Sequence, residues 1–110
     1  PGDYLMAQEL ASHLNTPATI VDTSNFDMFM TLLSLVDICF IGDGGIMHMA
    51  AALDKHQVVL FGSTSPEEWS PLSNKTSTLF SPHHVQDIPH EDILSALTSH
   101  ITSIINKKDV

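Results

Sequence analysis

The run Gly42-Asp43-Gly44-Gly45-Ile46-Met47-His48 holds residue types suited to an anion, above all a diphosphate. Glycine lets the backbone take positive φ and approach a phosphate closely. Where a helix begins, its first N–H groups lack partners within the helix and carry a partial positive charge. The N–H groups of Gly45, Ile46 and Met47 would then point at the anion, with Gly44 and Gly45 supplying room. His48 falls in the first turn, where its ring reaches a phosphate oxygen. Asp43 fits less simply, because a carboxylate beside a diphosphate repels it. Two roles remain open to it: a helix cap through its side chain, or an acceptor for a sugar hydroxyl or a nearby N–H. The run is not a dinucleotide fingerprint, since the last glycine of G-x-G-x-x-G counted from Gly42 would fall on Met47. Taken alone, it also fits a strand-to-helix turn with no ligand.

The surrounding elements must place that turn at a strand end. Ile38-Cys39-Phe40-Ile41 is continuously apolar and predicts a parallel strand covered on both faces. The Ala- and Met-rich stretch 46–53 predicts a helix, and Gln57-Val58-Val59-Leu60-Phe61 a second buried strand. The β-branched run Ala18-Thr19-Ile20-Val21 predicts another strand, and 76–80 a short one. Leu5, Met6, Leu10 and Leu14 predict a helix over 4–14, with Asp3 as its cap. Asp22-Thr23-Ser24-Asn25 is turn and capping material. Met28, Phe29, Leu32, Leu33 and Val36 then predict a helix over 25–35. Residues 62–74 read as a loop. Ile93, Leu94, Leu97, Ile101, Ile104 and Ile105 predict a last amphipathic helix over 90–106.

Strands alternating with helices imply a parallel sheet with right-handed crossovers, hence a Rossmann-like α/β fold. Residues 1–110 read as a single domain. Its small sheet fits half of a larger architecture. In open α/β sheets ligands bind at the carboxyl ends of strands, which is where 42–48 lies.

The 110 residues suffice for a hydrophobic core, and the 43% hydrophobic content is ordinary for a globular protein. Four Lys and Arg against 13 Asp and Glu give a formal charge of −9. That balance argues against nucleic acid and against an anionic membrane surface, both of which are bound through cationic clusters. A small anion held by backbone N–H groups is compatible with it. The lone Cys39 excludes an internal disulfide and reads as a core residue. No apolar run approaches the ~18 residues of a membrane span, so the expected location is the cytoplasm. The chain begins Pro1-Gly2-Asp3 without Met and reads as a piece of a longer protein.

A second motif adds to the first. Gly42 to Leu53 is followed by Val58-Val59-Leu60-Phe61-Gly62-Ser63-Thr64-Ser65-Pro66-Glu67-Glu68-Trp69-Ser70-Pro71. Together these resemble the C-terminal domain of the bacterial lipopolysaccharide heptosyltransferases, the family 9 glycosyltransferases. The family pattern is roughly D-[ST]-G-x-x-H-x-A-A-A-L, a strand, then [FY]-G-x-T-x-P. Asp43, Gly45, His48, Ala50, Ala51, Ala52, Leu53, Phe61, Gly62, Thr64 and Pro66 match it in order and spacing. Gly44 departs from it, standing where the family usually has Ser or Thr.

The resemblance implies a GT-B architecture of two Rossmann-like domains facing across a cleft. The C-terminal domain would bind a nucleotide-sugar donor, usually ADP-heptose. An N-terminal domain, missing from this chain, would supply most contacts to the lipopolysaccharide core acceptor and the catalytic carboxylate. This chain alone would then bind donor and not catalyse, with transfer inverting the anomeric centre and requiring no metal or other cofactor. Through the full enzyme it would lie peripheral to the inner membrane. By the same resemblance Asp43, Gly44, Gly45 and His48 hold the diphosphate and sugar, beside the N–H groups of Ile46 and Met47, while Thr64 contacts phosphate or caps a short turn. Thr23 and Ser24 would lie near the adenine, and Asp3 near the ribose.

Two other functions stay open. UDP-sugar 2-epimerases resemble the same architecture and helix start, but usually carry Glu where His48 stands. An inactive nucleotide-binding regulatory module is the other, with Gly44 as its motive; restoration of tight donor binding by Gly44→Ser would mark a degenerate turn. Seven histidines raise a metal site, but His83, His84 and His90, like His13, His56 and His100, read as loop or helix-surface residues. Trp69 reads as packing near the donor site, Glu67 and Glu68 as a solvated loop, and Met28, Met30, Met47 and Met49 as core fillers.

Overall fold

Two largely apolar runs of the sequence and the Thr-rich stretch 76–80 form one parallel sheet. The computed structural model describes residues 4–62 and 74–108, which divide between two units, 1–33 and 34–110. Asp3, Ser63, Thr64, Ser65, Pro66, Glu67, Glu68 and Trp69 lie outside the described residues.

In the first unit, α1 (Tyr4–Ser12) is shorter than the predicted 4–14. Its end tightens through i→i−3 bonds, His13 N–H to the Leu10 carbonyl at 3.1 Å and Leu14 N–H to Ala11 at 3.2 Å. The Ser12 hydroxyl donates to the Glu9 carbonyl at 2.6 Å and competes with helical continuation. The leucines that predict this helix do not make a buried face: none of its residues is buried. The strand expected over 18–21 is not formed. β-branched residues favour an extended backbone, but a strand exists only where that backbone pairs with another. No second strand lies among the described residues of this unit. Helix α2 (Phe26–Leu35) begins as expected and runs two residues past the unit division. Met28, expected as a core filler, is exposed.

The second unit holds β1 (Ile38–Gly42), α3 (Gly45–Ala52), β2 (His56–Phe61), β3 (Thr76–Phe80) and α4 (His90–Lys108). The sheet order is β1-β2-β3, all parallel, so β1 and β3 are its edges among the described residues. Ile38 pairs with His56, and Gln57 pairs with Thr76. Alternation along β2 then sends successive side chains to opposite faces. Val59 and Phe61 meet Met47 of α3, with Ile41 against them. His56 points to the other face, where its ring meets His100 of α4. A central strand covered on both sides reads as a continuous apolar run, and Val58, Val59 and Phe61 are fully buried. Each such side chain stabilises the fold by roughly 1.5–3 kcal/mol. Cys39 is buried in β1, and burial raises its thiol above the ordinary range.

Helix α3 ends in a Schellman turn. Lys55 N–H donates to the Ala50 carbonyl at 2.9 Å and Asp54 N–H to Ala51 at 3.0 Å. Asp54 takes the left-handed position, at φ 58°, and its carboxylate pairs with Lys75 Nζ at 2.7 Å. On α4 the face toward the sheet centres on His100 rather than on an all-aliphatic stripe, and Leu94, Ile101 and Ile105 are exposed. Two bonds account for this. His56 Nδ1 and His100 Nδ1 lie 2.9 Å apart, one donating and one accepting, and His100 Nε2 lies 2.8 Å from the Ser77 hydroxyl. The surface placement expected for His100 is therefore corrected: it is 8% exposed, and burial lowers its pKa. A histidine that satisfies both ring nitrogens can occupy a core-facing position that composition alone assigns to water.

Candidate functional site

The glycine turn sits where the sheet ends. Asp43 N–H donates to the Leu60 carbonyl at 3.0 Å, which carries the β1–β2 ladder one residue past Gly42. Gly44 then swings the chain at φ 157° and ψ −171°, a region essentially restricted to glycine. Helix α3 starts at the next residue. A β-carbon built on Gly42, Gly44 or Gly45 would meet nothing within 4 Å, so the turn borders open space.

The site residues differ in what they can offer. Asp43, Gly44, Gly45, Ile46 and His48 are exposed. Met47 is not: its side chain is 2% exposed and belongs to the core, and its N–H donates to the Gly44 carbonyl at 3.3 Å. The expectation that Met47 N–H points at an anion is corrected accordingly. The N–H groups of Gly45 and Ile46 lie ahead of the helix ladder. The capping role open to Asp43 is also not taken, since no side chain caps α3.

The start of α2 is built in the opposite way. Asn25 Oδ1 accepts from Met28 N–H at 3.0 Å, and Asp22 Oδ1 accepts from Ser24 N–H at 2.9 Å. The Ser24 hydrogen bonds hold the Asp22 carboxyl below its ordinary pKa. Thr23 and Ser24 line a cavity of about 420 Å³ with Tyr4, Ile20 and Asp22. This cavity lies wholly within the first unit.

Gly62 of the second motif has a packing role. A β-carbon there would lie 3.3 Å from the Val85 backbone nitrogen, against the short helical turn Val85–Asp87. Phe61 is core. Gln57, expected only as part of a buried strand, is fully buried and within hydrogen-bond distance of α3. A lone polar residue in an apolar strand run is the signal that could have found it.

A parallel sheet with helices on both faces and a glycine turn at a strand's carboxyl end defines an α/β protein of the Rossmann-like class. The sequence model of Glycosyltransferase family 9 (heptosyltransferase) matches residues 3–98, and the chain belongs to that family. It is similar to Lipopolysaccharide heptosyltransferase 2 of Escherichia coli K12, 29% identical over 82 residues, covering 70% of this chain and 24% of that protein. The protein of the same name from Salmonella typhimurium LT2 is 28% identical over the same length and coverage. The solved structure of E. coli ADP-heptose lps heptosyltransferase II shares the fold, with a TM-score of 0.77 at 24% identity over 97% of this chain and 35% of that one. The chain thus spans about a quarter of the length of the curated relatives it matches. Among the described residues, no helix is long and apolar enough to cross a membrane.

Proposed function

We propose that this chain is the nucleotide-sugar-binding domain of a heptosyltransferase, the C-terminal half of a GT-B enzyme. That enzyme would move heptose from ADP-heptose to a lipopolysaccharide core acceptor. The observation that carries this is the turn itself: a Gly44 bend that leaves the Gly45 and Ile46 amides and His48 at the end of β1, in a chain of this family. Glycosyl transfer from a nucleoside diphosphate builds negative charge on the leaving phosphate, and preorganised N–H donors stabilise it there. Gly45, Ile46 and His48 hold the diphosphate, and Asp43 accepts from a sugar hydroxyl. Met47 anchors the helix from the core side, and Thr64 is assigned to phosphate by its motif alone. Thr23 and Ser24, in their own cavity, are proposed separately as contacts to the base. The acceptor and the catalytic carboxylate belong to a preceding domain, and the enzyme works in the cytoplasm, peripheral to the inner membrane.

Calorimetry with ADP tests the donor reading on this chain. Heat with a dissociation constant below millimolar, weakened by His48→Ala, is the expected result. No heat at millimolar ADP, with the chain folded by circular dichroism, overturns it.

A further inference from the structure

Gln57 is 0% exposed on the central strand, between β1 and β3. Its Nε2 donates to the Met47 carbonyl at 2.9 Å and to the Thr76 hydroxyl at 3.1 Å. Its Oε1 is buried with no hydrogen-bond partner among the described residues. An apolar side chain of the same shape would leave no such orphan, so stability alone does not account for an amide here.

The amide's other effect is directional. Met47 lies in the first turn of α3, the turn that carries the Gly45 and Ile46 amides and His48. The Met47 side chain packs on Val59 and Phe61, but a flexible thioether chain in apolar contact tolerates sliding and rotation. A hydrogen bond from a fully buried amide to the backbone carbonyl tolerates much less. We infer that Gln57 is a positioning residue for the anion-binding turn: it bolts the first turn of α3 to β2, and so sets where the Gly45 and Ile46 N–H groups point. This rests on the donor reading proposed above.

The test compares the wild-type chain with Gln57→Met, which keeps length and removes both the amide donors and the orphaned oxygen. The expected result is a split. The thermal midpoint stays level or rises, the ADP dissociation constant rises by about tenfold, and the Gly45 and Ile46 amide resonances shift without ligand. Thr76→Val, which removes the other partner and keeps the Met47 bond, is expected to leave ADP affinity within about twofold. Unchanged ADP affinity in Gln57→Met overturns the inference while the donor reading stands, and so does an equal loss in Thr76→Val. A fall in midpoint and affinity together makes Gln57 an ordinary core residue and overturns it too. Failure of the wild-type chain to bind ADP removes the donor reading and this inference with it. Should Gln57→Met not fold, the side-chain amide protons of Gln57 in the wild type are read on adding ADP. A shift supports the link to the turn, and none overturns it.

Discussion

Residues 4–33 and 34–108 carry similar apolar spacing with opposite outcomes. In the first stretch Leu33 alone is buried, while Leu5 and Leu10 of α1 are 77% and 64% exposed. In the second, Ala50, Val58, Val59 and Phe61 are wholly buried. Periodicity states which side chains share a face. Burial needs a second surface, and β2 has one on each side: α3 over Val59 and Phe61, and α4 over His56. The stretches also begin their helices differently. Side chains close the start of α2, whereas a glycine bend leaves that of α3 open.

The largest test of this contrast pairs two truncations. Phe61→Ala opens a cavity in the core and is expected to cost about 3–5 kcal/mol in urea unfolding. Leu10→Ala removes an exposed side chain and is expected to stay within about 0.5 kcal/mol. Comparable losses would break the contrast, because they would make α1 as tightly packed as β2. Next in size is Gly44→Ser. The turn is bent into a conformation that an L side chain rarely adopts. Adding the hydroxyl usual in the family is therefore expected to cost about 1–3 kcal/mol of stability and to weaken ADP binding. Tighter binding instead would mark the turn as degenerate.

The smallest effect separates the stretches by pH. The folded His100 has a pKa below its ordinary 6.5, so the unfolded chain takes up the proton first as pH falls. Stability from this residue is complete above 6.5 and is lost as pH drops from there toward the folded value. Asp22 also has a lowered folded pKa, but its contribution is lost only below its ordinary 3.8. Between pH 7.5 and 5.8, the sheet and α4 should therefore lose hydrogen-exchange protection while the Asp22–Asn25 turn does not change. Equal loss in both would sink the assignment.

The sheet is legible in the sequence because 38–41 and 58–61 are apolar runs, but the cover on both faces expected for the first holds only for β2: Phe40 on the edge strand β1 is 51% exposed. Residues 18–21 have the right composition and no neighbouring strand among the described residues of their unit, which composition cannot report. The placement of the turn at a strand end is legible for the same reason as the sheet. Its division of labour is not. Whether Met47 N–H is free depends on a backbone dihedral at Gly44, and whether His100 is buried depends on Ser77 and His56, 23 and 44 residues away.

The edge strands of the sheet among the described residues, β1 and β3, bear on how the chain behaves as a colloid. Exposed Phe40 and Phe80 lie on β1 and β3, beside backbone that another copy can template upon. At pH 7 the formal charge of −9 keeps copies apart, but near the isoelectric point of about 4.8 that repulsion vanishes. Acidic buffers close to that pH therefore favour edge-to-edge association and precipitation, and neutral, low-salt solution keeps the chain dispersed.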